Sequence, residues 1–171
     1  MRLPVLLFAL TTAACVAAPQ RPRLAAPAPG FDVEQFFVGQ THGDGRLRIV
    51  ASHPRAVQVD GNGRIDTDGT LILDQHVTTQ GQGARDRQWR MRPLGEGRYG
   101  GTLSDASGPL VAQVTGNCLH LRFSAKGHLT IEQWIYLQPG GHVALNRMVV
   151  RKFGVRVARL DETIRHVDQA G

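Results

Sequence analysis

The side chains capable of chemistry are dispersed along this 171-residue chain. Its seven histidines are His42, His53, His76, His120, His128, His142 and His166, and no two share the four-residue spacing of paired helical metal ligands. A metal site would need a closed fold to gather them, and no metal ligand is assigned. Asp60, Asp66, Asp68 and Asp74 are close in sequence, but the first three lie in glycine-marked stretches and read as turn residues. Their spacing is not that of a calcium loop. No Gly-x-Ser-x-Gly elbow is present, and the glycines between Gly39 and Gly45 lack the Lys-Ser/Thr of a phosphate loop. Fourteen acids leave a hydrolytic carboxylate pair open to almost any fold, which gives the count little weight. No catalytic residue and no cofactor emerges.

The two cysteines are more informative. Residues 1–14 have the three parts of a signal peptide: Arg2, the apolar run Leu3 to Leu10, and a small-residue end. That run falls well short of the roughly 20 residues that span a bilayer as a helix. Leu10-Thr11-Thr12-Ala13-Ala14-Cys15 resembles a bacterial lipobox, with Thr12 where leucine is usual. The resemblance implies lipid attachment at Cys15, and two acyl chains anchor a protein stably. Val16 in place of aspartate implies the outer membrane, facing the periplasm. The competing reading is ordinary cleavage near Ala18, with Cys15 discarded and Pro19 in a poor context after the cut. Residues 15–30 thus form a lipidated cysteine and a tether with four prolines, and Arg21 and Arg23 would lie near headgroups. An acylated Cys15 leaves Cys118 without an intramolecular disulfide partner, as a buried small residue or a reactive thiol.

The formal charge is +6, which suits nucleic acid, anionic lipid or polysaccharide as partner. The leader removes the chain from the cytoplasm and excludes nucleic acid. With 42% hydrophobic and 20% charged residues the chain is not disordered as a whole, and 20 glycines among few helical runs indicate short strands.

Residues 31–171 form one domain on this reading. The aromatics of Phe31 to Phe37 share one face of a short helix. Beyond them the chain alternates with period two, as half-buried strands do. Turn signals recur about every ten residues, among them Asp60-Gly61-Asn62-Gly63, Gly95-Glu96-Gly97, Gly116-Asn117 and Lys126-Gly127. In the strand around Trp89 and Met91, these two are expected on one face and the arginines on the other. Between Val157 and Val167 helix and strand compete, with the alternation of Phe153, Val155 and Val157 favouring strand. The expected fold is all-β: an antiparallel up-and-down barrel of about nine or ten strands with a short N-terminal helix. A helix entering a glycine-marked first strand resembles the opening of lipocalin-like barrels.

The segments Trp134-Ile135-Tyr136-Leu137, Leu145-Asn146-Arg147-Met148 and Lys152-Phe153-Gly154-Val155 resemble bacterial lipoproteins with the domain of unknown function DUF3833. So do Phe37-Val38-Gly39, Gly43-Asp44-Gly45, Arg87-Gln88-Trp89 and Gly116-Asn117. The likeness runs from about Phe31 to Ile164 and departs around Gln75 to Gly81, where His76 and Thr78-Thr79 replace an aromatic-rich acidic strand. It implies a lipid-anchored, lipocalin-like envelope protein, and no activity.

A barrel of this size leaves room for a lumen, and ligand sites are mostly apolar with a few polar groups. Trp89, Met91, Tyr99, Phe123 and Trp134 are the large side chains available to line it, each with plain core packing as its other reading. Arg147, Arg151 and Lys152 are candidates to clamp a phosphate or carboxylate at the mouth, or to serve as structural and solvated cations. The first functional reading is an envelope lipoprotein binding or carrying a small apolar or amphipathic, lipid-like ligand. The alternative is a structural or interaction lipoprotein with a filled core, and the third is an enzyme acting on an envelope lipid.

Overall fold

The computed structural model describes residues 24–167. The signal peptide over 1–14 and lipid attachment at Cys15 lie outside the described residues. Ten strands follow one short helix in chain order: α1 (Val33–Phe37), β1 (Gly39–Ile49), β2 (Arg55–Ile65), β3 (Leu71–Thr79), β4 (Arg85–Gly95), β5 (Arg98–Leu103), β6 (Leu110–Thr115), β7 (Cys118–Ala125), β8 (Leu129–Leu137), β9 (Val143–Lys152) and β10 (Val155–Val167). Each strand pairs antiparallel with its sequence neighbours, and β1 closes the barrel against β10. The up-and-down barrel expected from the alternation is therefore present, and closure leaves no strand edge open.

Period-two burial is clearest in β2, where Val57, Val59, Gly61 and Gly63 are the buried phase, and is visible in β7, where Leu119, Leu121 and Phe123 point inward. The segment from Val157 to Val167 is strand. Leu160, Glu162 and Ile164 are its buried phase, and its backbone pairs with both β1 and β9.

Asp60-Gly61-Asn62-Gly63, expected as a turn, instead lies inside β2. The local signal was overridden because the inward glycines make room for neighbours. A Cβ at Gly63 would overlap the Phe37 carbonyl, and one at Gly61 would overlap the Thr41 hydroxyl. Gly43 and Gly45 likewise belong to β1 rather than to a loop before it.

The helix closes one end. Five residues cannot hold a helix alone, and packing supplies the rest. Asp32 caps it by accepting from the Gln35 amide at 2.8 Å, and Phe31, Val33, Phe36 and Phe37 are all buried. Phe36 and Phe37 meet edge to face at 4.9 Å. The strap before the helix is pinned by Asn117 in the β6–β7 turn. Its Oδ1 accepts from the Ala26 amide at 2.7 Å, and its Nδ2 donates to the carbonyls of Leu24 at 3.2 Å and Leu137 at 2.9 Å. The β2–β3, β4–β5, β6–β7 and β8–β9 turns surround this plugged end, and the other five connections form the opposite rim.

Candidate functional site

Midway along the lumen, an apolar wall is interrupted by Thr41 and by five larger polar side chains. Each of these five reaches inward because it stands in the phase of its strand's apolar residues. Gln75 is in phase with Leu73 and Val77, Arg87 with Trp89 and Met91, and Gln133 with Ile131 and Ile135. Asn146 is in phase with Ala144, and Glu162 with Leu160 and Ile164.

On one side, Gln75 Oε1 accepts from Trp89 Nε1 at 2.7 Å and from Arg87 Nε at 2.8 Å. The Arg87 guanidinium lies 5.3 Å from the centre of the Trp89 ring. Trp89 in turn meets Phe123 edge to face at 5.6 Å. Of the arginines in β4, Arg90 and Arg92 do face out. The expectation that all of them turn away from Trp89 is corrected for Arg87, because residues 87, 89 and 91 share one face of the pleat.

On the other side, Asn146 Nδ2 donates to Glu162 Oε2 at 2.7 Å, and both residues are buried. Burial pushes the Glu162 carboxyl above the usual carboxylate range, against the Asn146 hydrogen bond and the charge of Arg87. Burial also lowers the Arg87 guanidinium from its ordinary value, with Asp105 and Glu162 opposing. A Cβ at Gly43 would overlap a Glu162 oxygen, so the glycine of β1 makes space for this carboxyl. Gln133 Oε1 and Asn146 Oδ1 are buried and have no hydrogen-bond partner among the described residues.

The cavity between these groups measures about 30 Å³. A water needs roughly 10–15 Å³ of such space, so the cavity admits one or two waters and no drug-sized molecule in this form.

The large side chains singled out from sequence divide between the two faces. Trp89, Met91 and Phe123 are buried in the lumen. Tyr99 also points inward, but its hydroxyl donates to Glu34 Oε2 at 3.1 Å and so braces the plug. Burial and that neighbouring carboxylate push the phenol up to about 12. Trp134 is on the outer face, stacked on His120 at 5.0 Å. Arg147, 3.3 Å from Asp161, and Arg151, against Glu132, are on the outer face too. These three are not brought to the lumen, because Gln133 and Ile135 of β8 and Asn146 and Met148 of β9 take the inward phase. Sequence reasoning missed the polar set itself. Its signal was a polar residue recurring in an apolar phase on several strands.

A second concavity, of about 650 Å³, crosses the outer face of β1 to β4. Six of its polar side chains are mutually paired: His42 Nδ1 to Asp60 Oδ1 at 2.6 Å, His76 Nδ1 to Asp86 Oδ1 at 2.7 Å, and Gln88 Nε2 donating to Asp74 Oδ1 at 2.6 Å. The Asp60 hydrogen bond raises His42 above its ordinary value. Among the described residues no group of three His, Cys, Asp or Glu side chains is disposed to hold a metal.

Solved structures share the fold. The S-type phycobiliprotein lyase CPES from Guillardia theta superposes with a TM-score of 0.65 at 10% identity, covering 84% of this chain and 96% of its own. A protein of unknown function from the DUF3598 family of Nostoc punctiforme superposes with a TM-score of 0.61 at 11% identity, over 81% of this chain and 50% of its own. At such identities the likeness is one of fold: a lipocalin-like barrel. No curated protein matches the sequence. The model of a family described as protein of unknown function matches residues 9–166, and the chain belongs to that family, DUF3833.

Proposed function

We propose that this chain is a lipid-anchored protein of the bacterial cell envelope, acylated at Cys15, whose barrel binds a small amphipathic ligand with its polar head at the lumen waist. The observation that carries this reading is the pair of buried acceptors, Gln133 Oε1 and Asn146 Oδ1, which lie beside Arg87 and Glu162 with no hydrogen-bond partner among the described residues. An unpaired buried polar atom costs about 1–3 kcal/mol, and a barrel selected only for packing gains nothing by keeping two. Apolar walls with a few convergent polar groups are how small-molecule sites are built. A head that presents both a hydrogen donor and an acidic oxygen, such as a protonated phosphate or a hydroxy acid, would satisfy the two acceptors and meet the guanidinium. Its apolar part would displace Met91 and Phe37, which also border the cavity. Methionine is adaptable enough for that movement. The fold's occurrence in a phycobiliprotein lyase is consistent with a barrel that handles a small molecule.

The test is native mass spectrometry of the full chain purified from a bacterial host. A co-purifying small molecule, lost in Gln133→Leu and in Arg87→Met, is the expected result. Its absence from the parent, with a water-filled lumen, would overturn the reading. The second reading, an interaction lipoprotein acting through its surface, is favoured by the 30 Å³ cavity and would then stand.

A further inference from the structure

We infer that the rim opposite α1 is a docking surface for an anionic bilayer, a second membrane contact distinct from any lipid on Cys15 and independent of what the lumen holds. Three observations converge on it.

The first is exposed apolar surface. Val50 is 69% exposed, Phe153 74% and Val155 68%, among the highest values for large hydrophobics in the described residues. They come from two separate hairpins drawn together where the Val50 amide donates to the Val157 carbonyl at 3.0 Å.

The second is backbone conformation. Phe153 has φ 49° and His128, in the adjacent β7–β8 turn, has φ 60°. The left-handed region is uncommon for such bulky residues, and glycine would fill either position with less strain. Yet their rings stack at 5.1 Å, and Lys152 Nζ lies 5.9 Å from the Phe153 ring. Positive φ at both Phe153 and Gly154 is what a two-residue hairpin loop demands, and here its first position carries an exposed aromatic in place of the usual asparagine or glycine.

The third is charge. Within one residue of the five turns at this rim, Arg55, Arg85, Lys126 and Lys152 are cationic, and the one acid among the described residues there is Asp105, 3.4 Å from Arg85. One residue further in, Arg156 faces Arg151 across the β9–β10 ladder, while Asp86 is held by His76. At the plugged end the acids are Asp32, Glu34, Asp66, Asp68 and Glu96, the last three of which are paired with Arg90, Arg92 and Arg98. The molecule therefore presents a basic rim bearing three apolar side chains, while most acids of the opposite end are offset by arginines. Anionic headgroups attract such a rim. Aromatic and aliphatic tips flanked by snorkelling cations match the interfacial region of a bilayer.

The experiment is vesicle flotation of the full chain carrying Cys15→Ser, so that no acyl group contributes and the leader is common to every variant. Vesicles of phosphatidylethanolamine with phosphatidylglycerol are compared with vesicles of phosphatidylcholine alone. The parent is expected to float with the anionic vesicles, to prefer them about tenfold, and to release as salt rises. Phe153→Ser combined with Val155→Ser should weaken flotation about tenfold, and Lys126→Glu combined with Lys152→Glu should abolish the anionic preference. All four positions are in or directly beside the surface turns, and far-UV circular dichroism checks that the fold is kept. Equal flotation of parent and both variants would overturn the inference. So would a parent that ignores both vesicle types, the outcome expected if an acidic protein is the true partner.

Discussion

Ala26 and Asn117, 91 residues apart, are joined by two hydrogen bonds: the Ala26 amide donates to Asn117 Oδ1 at 2.7 Å, and the Asn117 amide donates to the Ala26 carbonyl at 2.9 Å. The remaining donors of the asparagine reach Leu24 and Leu137. A single side chain thus fixes the strap leading to α1 against the turn beneath the plug. Asn117→Ala removes three side-chain hydrogen bonds and strands the Leu137 carbonyl. A loss of about 2–4 kcal/mol is expected in urea denaturation, and Asn117→Asp should lose at least as much at neutral pH because it sets a buried carboxylate oxygen against the Leu24 and Leu137 carbonyls.

The two tryptophans are expected to differ sharply on truncation. Trp89 is 4% exposed, packs on Phe123 and bonds Gln75, so Trp89→Ala should cost about 3–5 kcal/mol. Trp134 loses a stack on His120 at the outer face, and Trp134→Ala should cost about 1 kcal/mol. Thermal or urea melts of both variants decide the matter. Equal losses would contradict the assignment of inside and outside.

Glu162 gives the barrel a pH dependence with a definite sign. Its carboxyl is pushed up by burial, so the native state holds a proton that the unfolded chain releases in the ordinary carboxylate range. Stability therefore falls as pH rises from that range through the native value, then levels off. Glu162→Gln keeps an acceptor for Asn146 without the ionisation. It should equal the parent in acid and become the more stable of the two as pH rises. Denaturant midpoints across the pH range measure the crossover.

Gly63→Ala should cost about 3 kcal/mol or more, or fail to fold, because its Cβ meets the backbone carbonyl of Phe37. Gly83→Ala has no atom within 4 Å of the new carbon and should change stability by no more than about 0.5 kcal/mol. The contrast, read from urea midpoints, tests whether the glycines of β2 are spacing devices rather than turn residues.

Much of the architecture was legible in the chain. Alternation at Leu119, Leu121 and Phe123, and at Leu129, Ile131, Gln133, Ile135 and Leu137, with turn residues between, specifies antiparallel neighbours. So many consecutive strands close more readily than they leave edges. The competing helix over Val157 to Val167 yielded to strand because only strand backbone satisfies hydrogen bonds to both β1 and β9. The waist was half legible. Arg87, Gln133 and Glu162 stand in apolar phases that could be counted, but partners such as Gln75 for Trp89 and Gly43 for Glu162 lie across pleats that only pairing aligns.

Sequence alone determined the turns at Gly95-Glu96-Gly97, Gly116-Asn117 and Lys126-Gly127 and the period-two strands between them, because a turn and an alternation are local properties of the backbone. Tertiary structure decided which phase faces the lumen. Both faces of β8 carry large apolar groups, and only closure of the barrel put Ile131, Gln133 and Ile135 inside with Trp134 outside. It also turned Asp60-Gly61-Asn62-Gly63 from a turn into a strand, since the space that glycine leaves has value only when Phe37 and Thr41 arrive to fill it.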